Sequence, residues 1–161
     1  MARLIIVFSL LLSACGQDTS IDPVATNHGY GWDYDQSGDS GTRVHYADTA
    51  HPGVDFSIIE GWFLKMEECT GIKTNGPLVA ITAQQLISPA GESVSGITYF
   101  DTGLIVVTDM SVQIGNTGLV VKHEMIHYLL WMSGFPNDRN SGHDSPYFYN
   151  RDTDMGCETL I

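Results

Sequence analysis

A chain of 161 residues suits one small domain and falls short of two. Hydrophobic residues at 43% support a modest core and exclude wholesale disorder, while 7 basic against 19 acidic residues (net −12) argue against nucleic acid, whose phosphates must be neutralised by Lys and Arg. Seventeen glycines point to a loop-rich fold of short elements, and three cysteines fit neither a disulfide-dense scaffold nor a four-thiolate metal site.

The chain opens with one positive charge, Arg3, and an apolar stretch from Leu4 to Leu12 broken only by Ser9. That is too short to span a bilayer and reads as the core of a secretory signal over residues 1–14. It ends in Leu12-Ser13-Ala14-Cys15, which resembles the bacterial lipobox; the resemblance implies cleavage before Cys15 and acylation of that cysteine. The expected location is the bacterial cell envelope, attached to the membrane by lipid. Gly16 follows in place of an Asp that would favour the inner membrane, which leans the placement outward. With Cys15 lipidated, Cys69 and Cys157 remain as one pair in an oxidising compartment, where a disulfide is the default; two buried free thiols are the alternative.

Residues 15–41 are polar and aperiodic and read as a tether; residues 42–161 read as the domain. Thr42 to Ala47 alternates and suggests a strand. Val54 to Cys69 spaces Phe56, Ile59, Phe63 and Met66 as a helix, with Ile58 and Trp62 widening the face and Gly71 as the stop. Leu78–Thr82 is a short β run. Ile97–Phe100 and Leu104–Thr108 suit a hairpin with Gly103 in its turn. Asn116 or Thr117 is positioned to cap a helix to about Ser133, with Gly134 behind it. Phe135 to Ile161 reads as an ordered irregular segment pinned by Cys157. The expected class is α+β, with a small mixed or antiparallel sheet and two main helices.

The second helix holds His123-Glu124-Met125-Ile126-His127, a complete HExxH. Positions i and i+4 share a helix face, so both imidazoles reach one metal ion. Glu124 lies about 100° around the helix from His123, flanking the ion as a proton acceptor for a water whose pKa zinc lowers. The alternative is a pair of surface histidines on an amphipathic helix.

This motif resembles the zincin metallopeptidases, and the run HEMIHYLL, then Gly142-His143, then Ser145-Pro146-Tyr147-Phe148 and a late Cys, is similar to small bacterial lipoproteins with zinc-peptidase domains. The likeness covers roughly the last third of the chain; the Glu67-Glu68-Cys69-Thr70-Gly71 end of the first helix shares it more loosely. It implies a zincin-like fold, Zn2+ as cofactor, His123 and His127 as ligands, Glu124 as general base and a third ligand downstream. Ser133 stands where a metzincin has that ligand, and Glu158 is the only Glu after Glu124, with no second helix evident to carry it. His143 is therefore the expected third ligand, with Asp144 and Asp138 left open. Tyr147 and Tyr149 read as packing aromatics, with a phenol donated to an oxyanion as the alternative for either. Met155 reads as core.

Other signals are weaker. Asp33-x-Asp35-x-Ser37-Gly38-Asp39 starts like a calcium loop, but Val44 stands where the bidentate Glu belongs. His28 and His51 read as exposed and His45 as core-edge. No G-x-S-x-G elbow supports a serine hydrolase. The expectation is a zinc-dependent endopeptidase acting on a peptide or protein, with a non-catalytic binding module or a zinc amidase of cell-wall peptide as alternatives. The lipobox yields the first prediction. Cells fed a palmitate analogue should label the wild-type chain, and Cys15→Ala should abolish the label; equal labelling rules out acylation at Cys15.

Overall fold

The computed structural model describes residues 35–47, 54–88, 91–100, 102–113, 118–134, 143, 145–148 and 156–160. The signal, Cys15, Asp33, Asp138, Asp144, Tyr149, Met155, His28, His51 and the caps Asn116 and Thr117 lie outside them. Among the described residues no helix is long and apolar enough to cross a membrane.

The centre of the fold is two parallel strands, β3 (Leu78–Thr82) and β7 (Leu104–Thr108), paired Leu78 to Leu104 through Thr82 to Thr108. Both are nearly continuous apolar runs, as strands covered on both faces require. β2 (Arg43–Tyr46) pairs parallel to β3, reached through helix α1 (Phe56–Thr70), because parallel neighbours need a crossover. β1 (Gln36–Ser37) adds antiparallel to β2, and β6 (Gly96–Tyr99) antiparallel to β7. The sheet order is β1-β2-β3-β7-β6, and β4 (Leu86–Ile87) with β5 (Ser93–Val94) forms a separate two-stranded ribbon. Helices α2 (Asp109–Gln113) and α3 (Leu119–Met132) follow, then a 3-10 turn at Cys157–Thr159.

Side-chain alternation divides the sheet between two cores. Val79, Ile81, Ile105 and Val107 face the helices and join Ile59, Phe63 and Met66 of α1 and Val121, Met125 and Leu129 of α3. Leu78, Ala80, Leu104 and Val106 face the other way, packed with Leu86 of β4 and Ile97 of β6. Each of these Val, Leu, Ile, Phe and Met side chains contributes about 1.5–3 kcal/mol relative to exposure. The Cys69–Cys157 disulfide, spanning 88 residues, ties the end of α1 to the C-terminal turn; closing such a loop stabilises by about 2–4 kcal/mol.

The α+β class, the mixed sheet and the two main helices agree with the sequence reading. The differences have local causes. The expected tether to residue 41 gives way by residue 35: β1 is in the sheet, and its turn is held by Glu60, whose Oε1 accepts Ser40 N–H at 3.0 Å and Ser40 Oγ–H at 2.9 Å. A partner twenty residues downstream leaves no local pattern. Asp35, from the calcium-like run, instead accepts Tyr46 N–H at 2.7 Å and stands 3.3 Å from His45 Nδ1. Ile58, expected on the buried face of α1, is 37% exposed, because Ile59, Trp62 and Phe63 already fill that face.

Helix α3 starts at Leu119 with Gly118 as its cap residue. Gly118 has φ +59°, and a Cβ there would stand 2.5 Å from the Trp62 indole of α1. Gly134, with φ +75°, closes the other end, and a Cβ there meets nothing within 4 Å. The two glycines separate conformational strain from steric exclusion. Gly134→Ala should lose about 1–2 kcal/mol in urea denaturation, the strain of a left-handed residue with a Cβ. Gly118→Ala should lose clearly more, because Trp62 must also move. Equal losses would show that the indole does not set the approach of α1 to α3.

Candidate metal centre

Helix α3 is buried almost all round, from Val121 to Leu130, with only His123 partly exposed. The alternative of two surface histidines on an amphipathic helix therefore does not describe it. One turn apart on this helix, His123 and His127 present their rings 4.9 Å centroid to centroid. His143 arrives from the C-terminal segment and completes a near-equilateral triangle, its ring 5.0 Å from each of the other two. The Nε2 atoms of His123 and His143 are 3.1 Å apart. A tetrahedral ion with bonds of 2.0–2.1 Å sets its ligand nitrogens about 3.3 Å apart, so this spacing matches a shared ligand shell. One ligand atom from each of the three histidines lies within 4.8 Å of the others.

The site is graded from inside to outside. His127 is 1% exposed, His123 intermediate, and His143 exposed. Phe148, 3% exposed, stands 4.6–4.9 Å from all three imidazole centroids and forms an apolar wall of the triangle. The Phe100 ring meets His127 edge-on at 6.2 Å.

Glu124 is buried and faces the sheet. Thr98 Oγ1 on β6 lies 2.6 Å from Glu124 Oε2 and 3.1 Å from the Glu124 carbonyl oxygen. A hydroxyl has one proton, and the shorter contact assigns it to the carboxylate. Gly96, two residues before Thr98 on the same strand face, lets the carboxylate lie close: a Cβ there would stand 2.9 Å from Glu124 Cγ and 3.0 Å from Oε1.

Strand β6 also leaves main-chain groups unpaired with β7. Thr108 N–H donates to Ser95 O at 3.0 Å, and the register runs Gly96 to Val107 through Tyr99 to Leu104. In an antiparallel pair hydrogen-bonded positions alternate, so Ile97 and Tyr99 bond to β7 while the N–H and C=O of Gly96 and Thr98 point away from it. Among the described residues β6 is the outer strand of the sheet.

Two further polar contacts join helix α3 to the C-terminal turn. Glu158, 6% exposed, places Oε2 3.0 Å from His123 Nδ1. Lys122 is buried, and its Nζ donates to Leu160 O at 2.6 Å. Burial pushes the Lys122 ammonium below its usual range, repulsion from Lys65 adds to this, and Glu158 opposes it.

The structure thus brings together His123, His127 and His143, while Glu124, the next residue after His123 on the helix, has its carboxylate held by Thr98 of β6. Asp144, Asp138 and Tyr149 lie outside the described residues, and Tyr147 packs in part against the main core. The pairing of Cys69 with Cys157 is present. Sequence reasoning did not find Thr98, Gly96 or Phe148 as site residues and considered Glu158 only as a metal ligand. The signal for Glu158 was its place next to Cys157; Thr98 and Gly96 have none, since only strand register brings them to Glu124.

This site defines a three-histidine cluster with an adjacent buried carboxylate, of the kind that fits a divalent ion of borderline softness. No family model, no curated protein and no solved structure matches the chain.

Imidazole donors suit Zn, Cu, Ni and Fe, so Co2+ serves as a spectroscopic probe of the cluster. In Co2+ titrations, His123→Ala, His127→Ala and His143→Ala should each lower affinity by more than the ~10–100-fold typical of losing a group that only touches a ligand. If His143→Ala binds as wild type, the loop residue is not a ligand.

Proposed function

We propose that this chain is a zinc-dependent peptidase of zincin type, exported and tethered to the bacterial envelope through Cys15. The observation that carries this reading is the convergence of His123, His127 and His143 on one centre; Glu124, which follows His123 on the same helix and is held by Thr98 of the outer strand, supports it. Bound there, Zn2+ would supply Lewis acidity toward a carbonyl and bring the pKa of water toward about 7.

The chain's own groups account for the rest. The N–H and C=O of Gly96 and Thr98 offer an extended peptide the hydrogen bonds of an added strand. This lays the substrate backbone alongside Glu124. Glu124 takes the proton of the attacking water as its oxygen bonds to the carbonyl carbon, then returns it to the amide nitrogen as the C–N bond breaks. Thr98 holds Oε2, which fixes the rotamer and leaves Oε1 to accept the proton. Phe148 keeps one side of the triangle dry, and the exposed side at His143 is the direction of approach.

The role of Glu124 separates from ligation. Glu124→Gln should keep about one zinc per chain while cleavage of a library of protein and cell-wall peptides falls 10²–10⁴-fold. Metal analysis beside the peptidase assay checks both. Wild-type cleavage by Glu124→Gln, or no cleavage by the zinc-loaded wild type, removes the hydrolase reading.

A further inference from the structure

Glu158 has no part in the proton transfer just described, yet it is a buried carboxylate in direct contact with a candidate ligand. Three observations bear on it. Its Oε2 lies 3.0 Å from His123 Nδ1, while His123 Nε2 faces His143 Nε2 at 3.1 Å, so the two ring nitrogens serve different partners. It sits on a three-residue 3-10 turn, too short to hold a conformation by itself. And that turn is fastened by the Cys69 disulfide at Cys157, by Cys157 N–H donating to Tyr147 O at 2.7 Å, and by Lys122 Nζ donating to Leu160 O at 2.6 Å.

Resting on the metal-centre reading, we infer that Glu158 is the positioning residue of His123 and that the Cys69–Cys157 disulfide is the strap that keeps it in place. An ionised carboxylate only accepts hydrogen bonds, so the proton of a neutral His123 is drawn to Nδ1. The lone pair is then on Nε2, aimed into the triangle. A ring left to itself samples both tautomers and several orientations, and each wrong one must be abandoned before metal binds. The strap acts on two parts of the site at once. Cys157 carries Glu158 as its neighbour, and its N–H holds Tyr147, the neighbour of Phe148. Two equivalents of an external thiol, which become a disulfide as the Cys69–Cys157 bond is reduced to two thiols, therefore weaken the metal centre without touching any ligand.

The experiment uses the full-length chain labelled with 15N-histidine. Long-range 1H–15N NMR of the metal-free protein at pH 8 should show the His123 proton on Nδ1, and Glu158→Ala should shift it toward Nε2. Co2+ affinity should fall 10–100-fold in Glu158→Ala and less in Glu158→Gln, whose amide oxygen still accepts from Nδ1. The Cys69→Ser/Cys157→Ser pair should also weaken Co2+, and adding Glu158→Ala to it should cost less than the same change does in wild type, the non-additivity expected of one chain of contacts. A wild-type His123 protonated on Nε2, or a Glu158→Ala chain binding Co2+ within twofold of wild type, overturns the inference. Strict additivity overturns the strap. Should Glu158→Ala fail to fold, the tautomer of the wild type and the affinity of Glu158→Gln still decide. If His123→Ala also binds Co2+ as wild type, it is the metal-centre reading that fails, a result distinct from the loss of Glu158's role alone.

Discussion

The partners of four polar side chains on helix α3 organise this molecule. The helix enters the interior with Lys122, His123, Glu124 and His127 on it, and buried polar groups must find partners or leave the core. Lys122 and His123 are met by the C-terminal turn, through the Leu160 carbonyl and Glu158; Glu124 is met by Thr98 of β6, and His127 by the rings of His123, His143, Phe148 and Phe100. The apolar residues between them, Val121, Met125, Ile126 and Leu129, supply the packing. The polar set determines which strand, turn and loop stand against which part of the helix.

Stability and chemistry share the same elements here. The central strands β3 and β7 and helices α1 and α3 build a core that rests mainly on buried apolar side chains. The C-terminal turn does not: it has three residues of regular structure and is held by a disulfide, a buried lysine and one main-chain bond. Such a segment is ordered by what it is tied to, which places it where a small chemical change has a local and selective effect.

The sheet contributes to the site through its edge. β6 runs antiparallel to β7 and presents Thr98 and Gly96 on the helix face while directing their main-chain groups outward. One strand thus fixes the carboxylate and directs the main-chain groups of Gly96 and Thr98 away from β7. Both follow from the twofold alternation of a strand, and both are lost if its register shifts by one residue.

Local pattern in the sequence was enough for the class and the motif. The apolar runs of β3 and β7, the 3.6-residue spacing of α1 and the i, i+4 histidines on α3 depend on neighbours within a turn or a strand pair, so they are legible in order along the chain. Cys69 and Cys157 were legible by parity. What only the tertiary structure decided are partners far apart in sequence: Glu60 holding the turn that brings β1 into the sheet, Ile58 displaced outward by fuller neighbours, Thr98 against Glu124 across 26 residues, and Glu158 against His123 across 35. None of these pairs has a period or a spacing rule. The polar pairs arise because folding brings the groups together out of full contact with water, where leaving either one unpaired costs free energy, whereas Ile58 reflects packing alone.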